Sequence, residues 1–178
     1  MSWKKDLELS YKSQSYADTI YKKVFPVQQI KRTVKRDENG TFEDEFLDRR
    51  MHIDVLLRLK NGITLTGQEK VLRNKFSRFN TFTIEFYQNR FTKEKGEFFN
   101  LGAQFFLHGY WNVNEDGFEK WYIIKVLDFL LYLRRFSIQE LQRHTKKSSG
   151  RASFFCVKYE EIPQDFIFAK GGSKCTTK

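Results

Sequence analysis

Apolar residues first recur at helical spacing. Tyr16, Ile20 and Val24, with Ala17, Tyr21 and Phe25, fall three and four residues apart and so share one face of an amphipathic helix. The spacing predicts a helix over Leu7 to Val24, ending before Pro26, because a residue ahead of proline avoids helical backbone. A basic stretch follows, with Lys31, Arg32, Lys35 and Arg36 running into an Asn39-Gly40 turn. It is expected to be a mobile or DNA-facing loop, with a plain solvated loop as the default reading.

From Met51 the period changes to two. Val55, Leu57 and Leu59 alternate with Asp54, Leu56 and Arg58, then Asn61-Gly62 intervenes, and Ile63 and Leu65 alternate with Thr64, Thr66, Gln68 and Lys70. This is a β-hairpin. A two-residue Asn-Gly loop would set the apolar residues of the two strands on opposite faces. A three-residue loop, Lys60-Asn61-Gly62, with Gly62 in the left-handed conformation, pairs Leu59 with Ile63 and Leu57 with Leu65, so the apolar sets agree. That register places Asp54 opposite Gln68 and His52 opposite Lys70, with Glu69 on the other face. Thr81 to Gln88 reads as a third strand with the same apolar face, Glu85 pointing away from Ile84 and Phe86.

Beyond Gly96 the pattern is mixed. Glu97 to Gly109 has partly helical spacing, while Gln104 to Trp111 reads equally well as a strand. Asn114 to Gly117 is a turn, Lys120 to Val126 a strand, Leu127 to Arg135 a buried helix with a basic end, and Ala152 to Tyr159 a last strand near Pro163. The whole reads as a mixed α+β or α/β domain with a largely antiparallel sheet. Residues 1–169 are expected to form one domain and 170–178 a disordered basic tail.

Composition narrows the class. The chain has 178 residues, 40% hydrophobic and 17% aromatic, enough apolar material for a core of its own. No run approaches the ~20 apolar residues of a membrane span, and no apolar signal core follows Met1 to Lys5, so a soluble, cytoplasmic protein is expected. Cys156 and Cys175 form no disulfide framework, and His52, His108 and His144 are too scattered for zinc. Against 22 acids stand 32 Lys and Arg, a formal charge of +10. That excess fits a polyanionic partner, nucleic acid before membrane, about as well as it fits a merely solvated surface. The densest basic region holds Arg134, Arg135, Arg143, His144, Lys146, Lys147 and Arg151, which could grip a phosphate backbone.

The hairpin gathers Asp54, Gln68, Lys70 and Glu85, with His52 near them. Two carboxylates and an amide oxygen are hard donors of the kind magnesium takes, the Glu69 carbonyl is a further oxygen, and Lys70 could serve an attacking water. On spacing alone, an exposed polar sheet face with a Lys–Glu cross-strand pair is the simpler reading. Gly62 to Glu69 has the glycine spacing of a phosphate loop, but Gln68 and Glu69 stand where Lys and Ser/Thr are required. No Ser/His/Asp arrangement is visible, and Cys156 in its Phe-rich strand reads as a structural thiol.

Asp54, thirteen intervening residues across a turn, and then Gln68-Glu69-Lys70 resemble the PD-(D/E)XK nuclease superfamily, as do Ser15-Tyr16-Ala17-Asp18, the Asp48 to Asp54 lead-in and Thr83-Ile84-Glu85-Phe86. The likeness runs over roughly Ser10 to Val126 and is to small phage-type members. It implies a restriction-endonuclease-like core, a central mixed sheet flanked by helices in the order α-β-β-β-α-β, here with an added C-terminal helix and strand. It also implies a magnesium-dependent DNA endonuclease, with manganese as a substitute metal. By resemblance Asp54 takes the metal-binding Asp and Lys70 the motif Lys. Gln68 stands where Asp or Glu is usual, as it does in transposon-end nucleases. The second acid falls to Glu85 first and to Asp18 on the first helix second. DNA is the implied partner, membrane is not, and many such nucleases act as homodimers. Lys31, Arg32, Lys35, Arg36, Arg134, Arg135, Arg143, Lys146, Lys147 and Arg151 would carry the backbone. The alternative is a non-catalytic nucleic-acid-binding protein, an inactivated nuclease fold included; a structural phage protein comes third.

Overall fold

The computed structural model describes residues 3–33, 42–147 and 150–172. Helix α1 (Trp3–Val24) leads into β1 (Val27–Arg32), and α2 (Phe42–Met51) into the hairpin of β2 (Val55–Leu59) and β3 (Thr64–Leu72). A 3-10 turn (Asn74–Phe79) precedes β4 (Thr81–Asn89), the short β5 (Glu94–Lys95) and α3 (Glu97–Asn100). Next come β6 (Phe105–Trp111), β7 (Phe118–Lys125), α4 (Val126–Leu133) and α5 (Ile138–Arg143). The chain closes through β8 (Thr145–Lys147), β9 (Ser153–Lys158) and β10 (Ile167–Gly171).

The strands form two sheets, one in the order β1-β2-β3-β6-β7-β10 and one in the order β5-β4-β9-β8. The larger is a mixed sheet, antiparallel except where β3 lies parallel to β6. Its first face carries Val55, Leu57, Phe105, Leu107, Trp111 and Ile123 against Ala17, Ile20 and Tyr21 of α1. Its second face meets the smaller sheet and α4, where Phe106, Tyr110 and Ile124 pack with Phe82, Ile84, Phe86, Phe129 and Phe155. The protein is therefore a mixed α+β fold, a central mixed sheet flanked by a few helices with a second sheet behind it.

Helix α1 ends as its sequence requires, with the Phe25 N–H reaching the Tyr21 carbonyl at 2.8 Å just before Pro26. The hairpin has the expected register. Leu57 faces Leu65, the Leu59 N–H donates to the Ile63 carbonyl at 2.8 Å, and Gly62 has φ 85°. All seven residues of β6 are buried, because this parallel-paired strand is covered on both faces. A strand with no polar face has no period of two, which is why helix and strand compete in this region of the sequence.

Other expectations need correcting. Strand β4 does not extend the hairpin's sheet. The edge of β3 is taken by β6, and the 3-10 turn, closed by Asn80 at φ 47°, carries the chain across to pair with β9. The apolar faces of the hairpin and of β4 thus belong to different cores. Lys31 and Arg32 lie in β1 rather than a loop, while Lys35, Arg36 and Asn39-Gly40 fall outside the described residues. Met51 ends a helix rather than opening a strand. Helix α4 buries Val126, Phe129 and Leu133 but exposes Leu127 and Leu131. The segment after Pro163 forms β10, which reaches Lys170 and Gly171; the residues beyond 172 are not described. Among the described residues, no helix is long and apolar enough to cross a membrane.

Candidate functional site

Asp54 stands where β2 leaves the ladder. Its N–H donates to the Gly67 carbonyl and its Oδ2 accepts the Glu69 N–H, both at 2.9 Å, so backbone and carboxylate bracket Gln68. The carboxylate replaces the ladder acceptor that β2 no longer supplies. Burial pushes the Asp54 carboxyl well above the usual carboxylate range, and nearby Glu69, Asp48 and Glu97 push the same way against that hydrogen bond. Gly67 makes room beside it: a Cβ there would lie 2.2 Å from the Phe105 ring.

Gln68 and Lys70 lie two residues apart on the opposite face from Glu69. The Gln68 Oε1 is buried and has no hydrogen-bond partner among the described residues. Lys70 Nζ lies 3.8 Å from Glu97 Oε2 and 4.7 Å from the centre of the Phe154 ring. Glu97 Oε2 also accepts the Glu85 N–H at 3.4 Å. This approach depends on Gly96, where a Cβ would sit 2.7 Å from the Glu85 carbonyl oxygen. Half-burial raises the Glu85 carboxyl, with Lys70 pulling it down and Glu97 pushing it up. Glu85 thus reaches the cluster from the second sheet rather than as a cross-strand neighbour.

Glu97 is the acid that sequence reading missed. At 6% exposure it is a buried carboxylate, and its only signal was an acid after Gly96 at the head of an apolar helical run. His52 is not opposite Lys70. It turns the chain out of α2 at φ 49° and acts electrostatically on Glu85. His108, paired in register with Lys70, is pushed down to about 3 by burial and by Lys70, so it is neutral at physiological pH. Its Nε2 shares a 3.2 Å hydrogen bond with Thr83 Oγ1.

The other candidate residues go elsewhere. On the α1 face, Glu69 Oε1 accepts from the Tyr21 hydroxyl at 2.6 Å and pairs with Arg32 Nη1 at 2.5 Å, while Arg32 Nη2 pairs with Asp18. Burial disfavours charge on Arg32, but Glu69, Tyr21 and Asp18 outweigh it and hold the guanidinium ionised. Arg32 is therefore tied inside the fold instead of facing a polyanion, and Asp18 is its partner rather than a helix acid at the cluster. Lys146 and Lys147 line a cavity that Lys70 also lines. Arg134 and Arg135 follow α4, Arg143 ends α5, and Arg151 lies between β8 and β9.

Among the described residues, no three of His, Cys, Asp and Glu converge into a ready-made metal cage. The donor set is nonetheless all oxygen: Asp54, the orphaned Gln68 amide oxygen, and Glu97 with Glu85 beside Lys70. It fits a hard divalent cation held by one or two carboxylates and several waters, the way magnesium binds. No family model, curated protein or solved structure matches the chain.

Proposed function

We propose that the protein is a magnesium-dependent DNA endonuclease of restriction-endonuclease-like fold, with Asp54, Gln68 and Lys70 as its D-x13-Q-x-K site. The observation that carries this reading is the buried Gln68 Oε1 without a hydrogen-bond partner among the described residues, on a strand whose next residue fixes the Asp54 carboxylate through its N–H and whose next but one is Lys70. Buried polar atoms are mostly paired, and this one stands beside the residues of the motif.

When bound, the metal would polarise the scissile phosphate and lower the pKa of a coordinated water. Asp54 and the Gln68 oxygen would hold it, with the Glu69 carbonyl as a further donor. Lys70 would orient the attacking water and offer its ammonium to charge developing on the phosphate oxygens. Glu97, ion-paired to Lys70, acts as a positioning residue, and Glu85 completes the acidic side. Phe154 beneath Lys70 fixes the direction of its side chain. The formal charge of +10 favours approach of DNA to an otherwise acidic cluster.

A second reading, a nuclease fold kept only for binding, is favoured by one observation: burial, with Glu69 and other nearby acids, pushes Asp54 toward its protonated form. Conversion of supercoiled plasmid to nicked or linear DNA, dependent on metal and absent in Asp54→Ala and Lys70→Ala, separates the two.

A further inference from the structure

The wall formed by Lys70 and Phe154 has a second side. It bounds a cavity of about 740 Å3 enclosed by β3, the 3-10 turn, β4, β8 and β9, within the ~300–1,000 Å3 of ligand clefts. Its aromatic surface comes from Phe76, Phe79 and Phe154. Phe76 and Phe79 are 38% and 51% exposed on a short turn, an unusual place to leave two large apolar rings. Each carries a cation over its face, Lys75 at 5.0 Å and Arg78 at 4.9 Å. Lys146 and Lys147 form the opposite rim, and among the described residues lining the cavity none is acidic.

Aromatic surface bordered by Lys70, Lys146 and Lys147 matches one ligand chemistry: a flat, uncharged ring system flanked by anions. We propose that this cavity takes an unpaired nucleobase, which makes single-stranded or locally unwound DNA the preferred substrate. The proposal rests on the nuclease reading in taking Lys70 as the lysine of the site. A base seated in the cavity against the exposed Phe79 ring carries its phosphate toward Lys70, which faces the acidic cluster on its other side. Thr81 and Thr83 also line the cavity. A base stacked and paired within a duplex offers no free face, so intact duplex engages only the lysine rim.

The test is equilibrium binding by fluorescence anisotropy of the full chain in EDTA, so that cleavage plays no part. The probes are a labelled oligothymidylate and a blunt duplex of equal length at fixed salt. Wild-type protein is expected to bind the single strand at least about tenfold more tightly, and Phe79→Ala, with Phe76→Ala as a second exposed variant, to erase about tenfold of single-strand affinity. Duplex affinity and melting temperature stay unchanged in both variants. Equal wild-type affinity for the two probes, or loss by the variants on both alike, overturns the pocket. Single-strand preference in a wild-type protein that cleaves no DNA in magnesium or manganese removes the nuclease reading and leaves the pocket standing. Metal-dependent cleavage with no Phe79 effect on binding does the reverse.

Discussion

Glu97 Oε2 lies 3.8 Å from Lys70 Nζ, with 8% and 21% of the two side chains exposed. The pair crosses from the head of α3 to the C-terminal part of β3, joining residues 27 positions apart in the chain. Lys70 therefore has a fixed direction before any substrate arrives, set by Glu97 on one side and by the Phe154 ring on another.

Removing the charge of Glu97 without its shape should loosen Lys70 and leave DNA binding intact. Glu97→Gln keeps an acceptor for the Glu85 N–H, so the fold survives. Loss of an ion pair worth up to ~1 kcal/mol predicts a kcat lowered about fivefold with KM nearly unchanged, read from cleavage of a labelled oligonucleotide. A change in KM alone would assign Glu97 to binding.

Asp54 links the site to stability. Its folded-state pKa lies above its unfolded value, so the folded chain holds the proton more tightly than the unfolded chain does. The stability this gives is fully present below the unfolded pKa of about 3.9 and is lost as pH rises through the folded pKa. Asp54→Asn keeps an acceptor for the Glu69 N–H and does not titrate. Without metal, its melting temperature should exceed that of wild type at pH 8 and converge with it toward pH 4. Magnesium should raise the wild-type melting temperature, more so at higher pH, and leave Asp54→Asn unmoved. Thermal melts over that range, with and without magnesium, check all three statements.

Arg32 illustrates a charge that structure reassigns. Its removal leaves Glu69, whose side chain is 9% exposed, without its ion-pair partner. Arg32→Ala should destabilise the fold by ~3–5 kcal/mol, seen as a lower denaturation midpoint. The double replacement Arg32→Met with Glu69→Leu should recover most of that loss. DNA affinity at moderate salt should stay within about twofold of wild type for the double variant, in contrast to what a backbone contact gives.

The hairpin was the most legible part of the chain. A period of two on both arms, with a glycine free to take positive φ, allowed one register, and that register carries Asp54 to Gln68. Glu69 was correctly turned away from this face by the same alternation. What could not be read were pairings between distant segments. Nothing local in Phe105 to Trp111 says that this strand docks parallel to β3 and displaces β4 into a second sheet. Glu97 joins the cluster only because that displacement folds α3 back over Lys70. Arg32 looked like a solvent-facing member of a basic run because its partners, Asp18 and Glu69, come from α1 and β3. Its neighbours in sequence carry no trace of them. The clustering of Lys146 and Lys147 with Lys70 depends in the same way on β8 pairing with β9 beside β4.

The most direct measurement is incubation of the purified full chain with supercoiled plasmid, single-stranded circle and branched oligonucleotide, in magnesium or manganese and in EDTA. Metal-dependent cleavage is expected, fastest on DNA with unpaired segments, with its loss by at least about a hundredfold in Asp54→Ala and Lys70→Ala proteins that still melt cooperatively. Wild-type protein that leaves all three DNAs intact in either metal would contradict it, as would cleavage that persists undiminished in both variants.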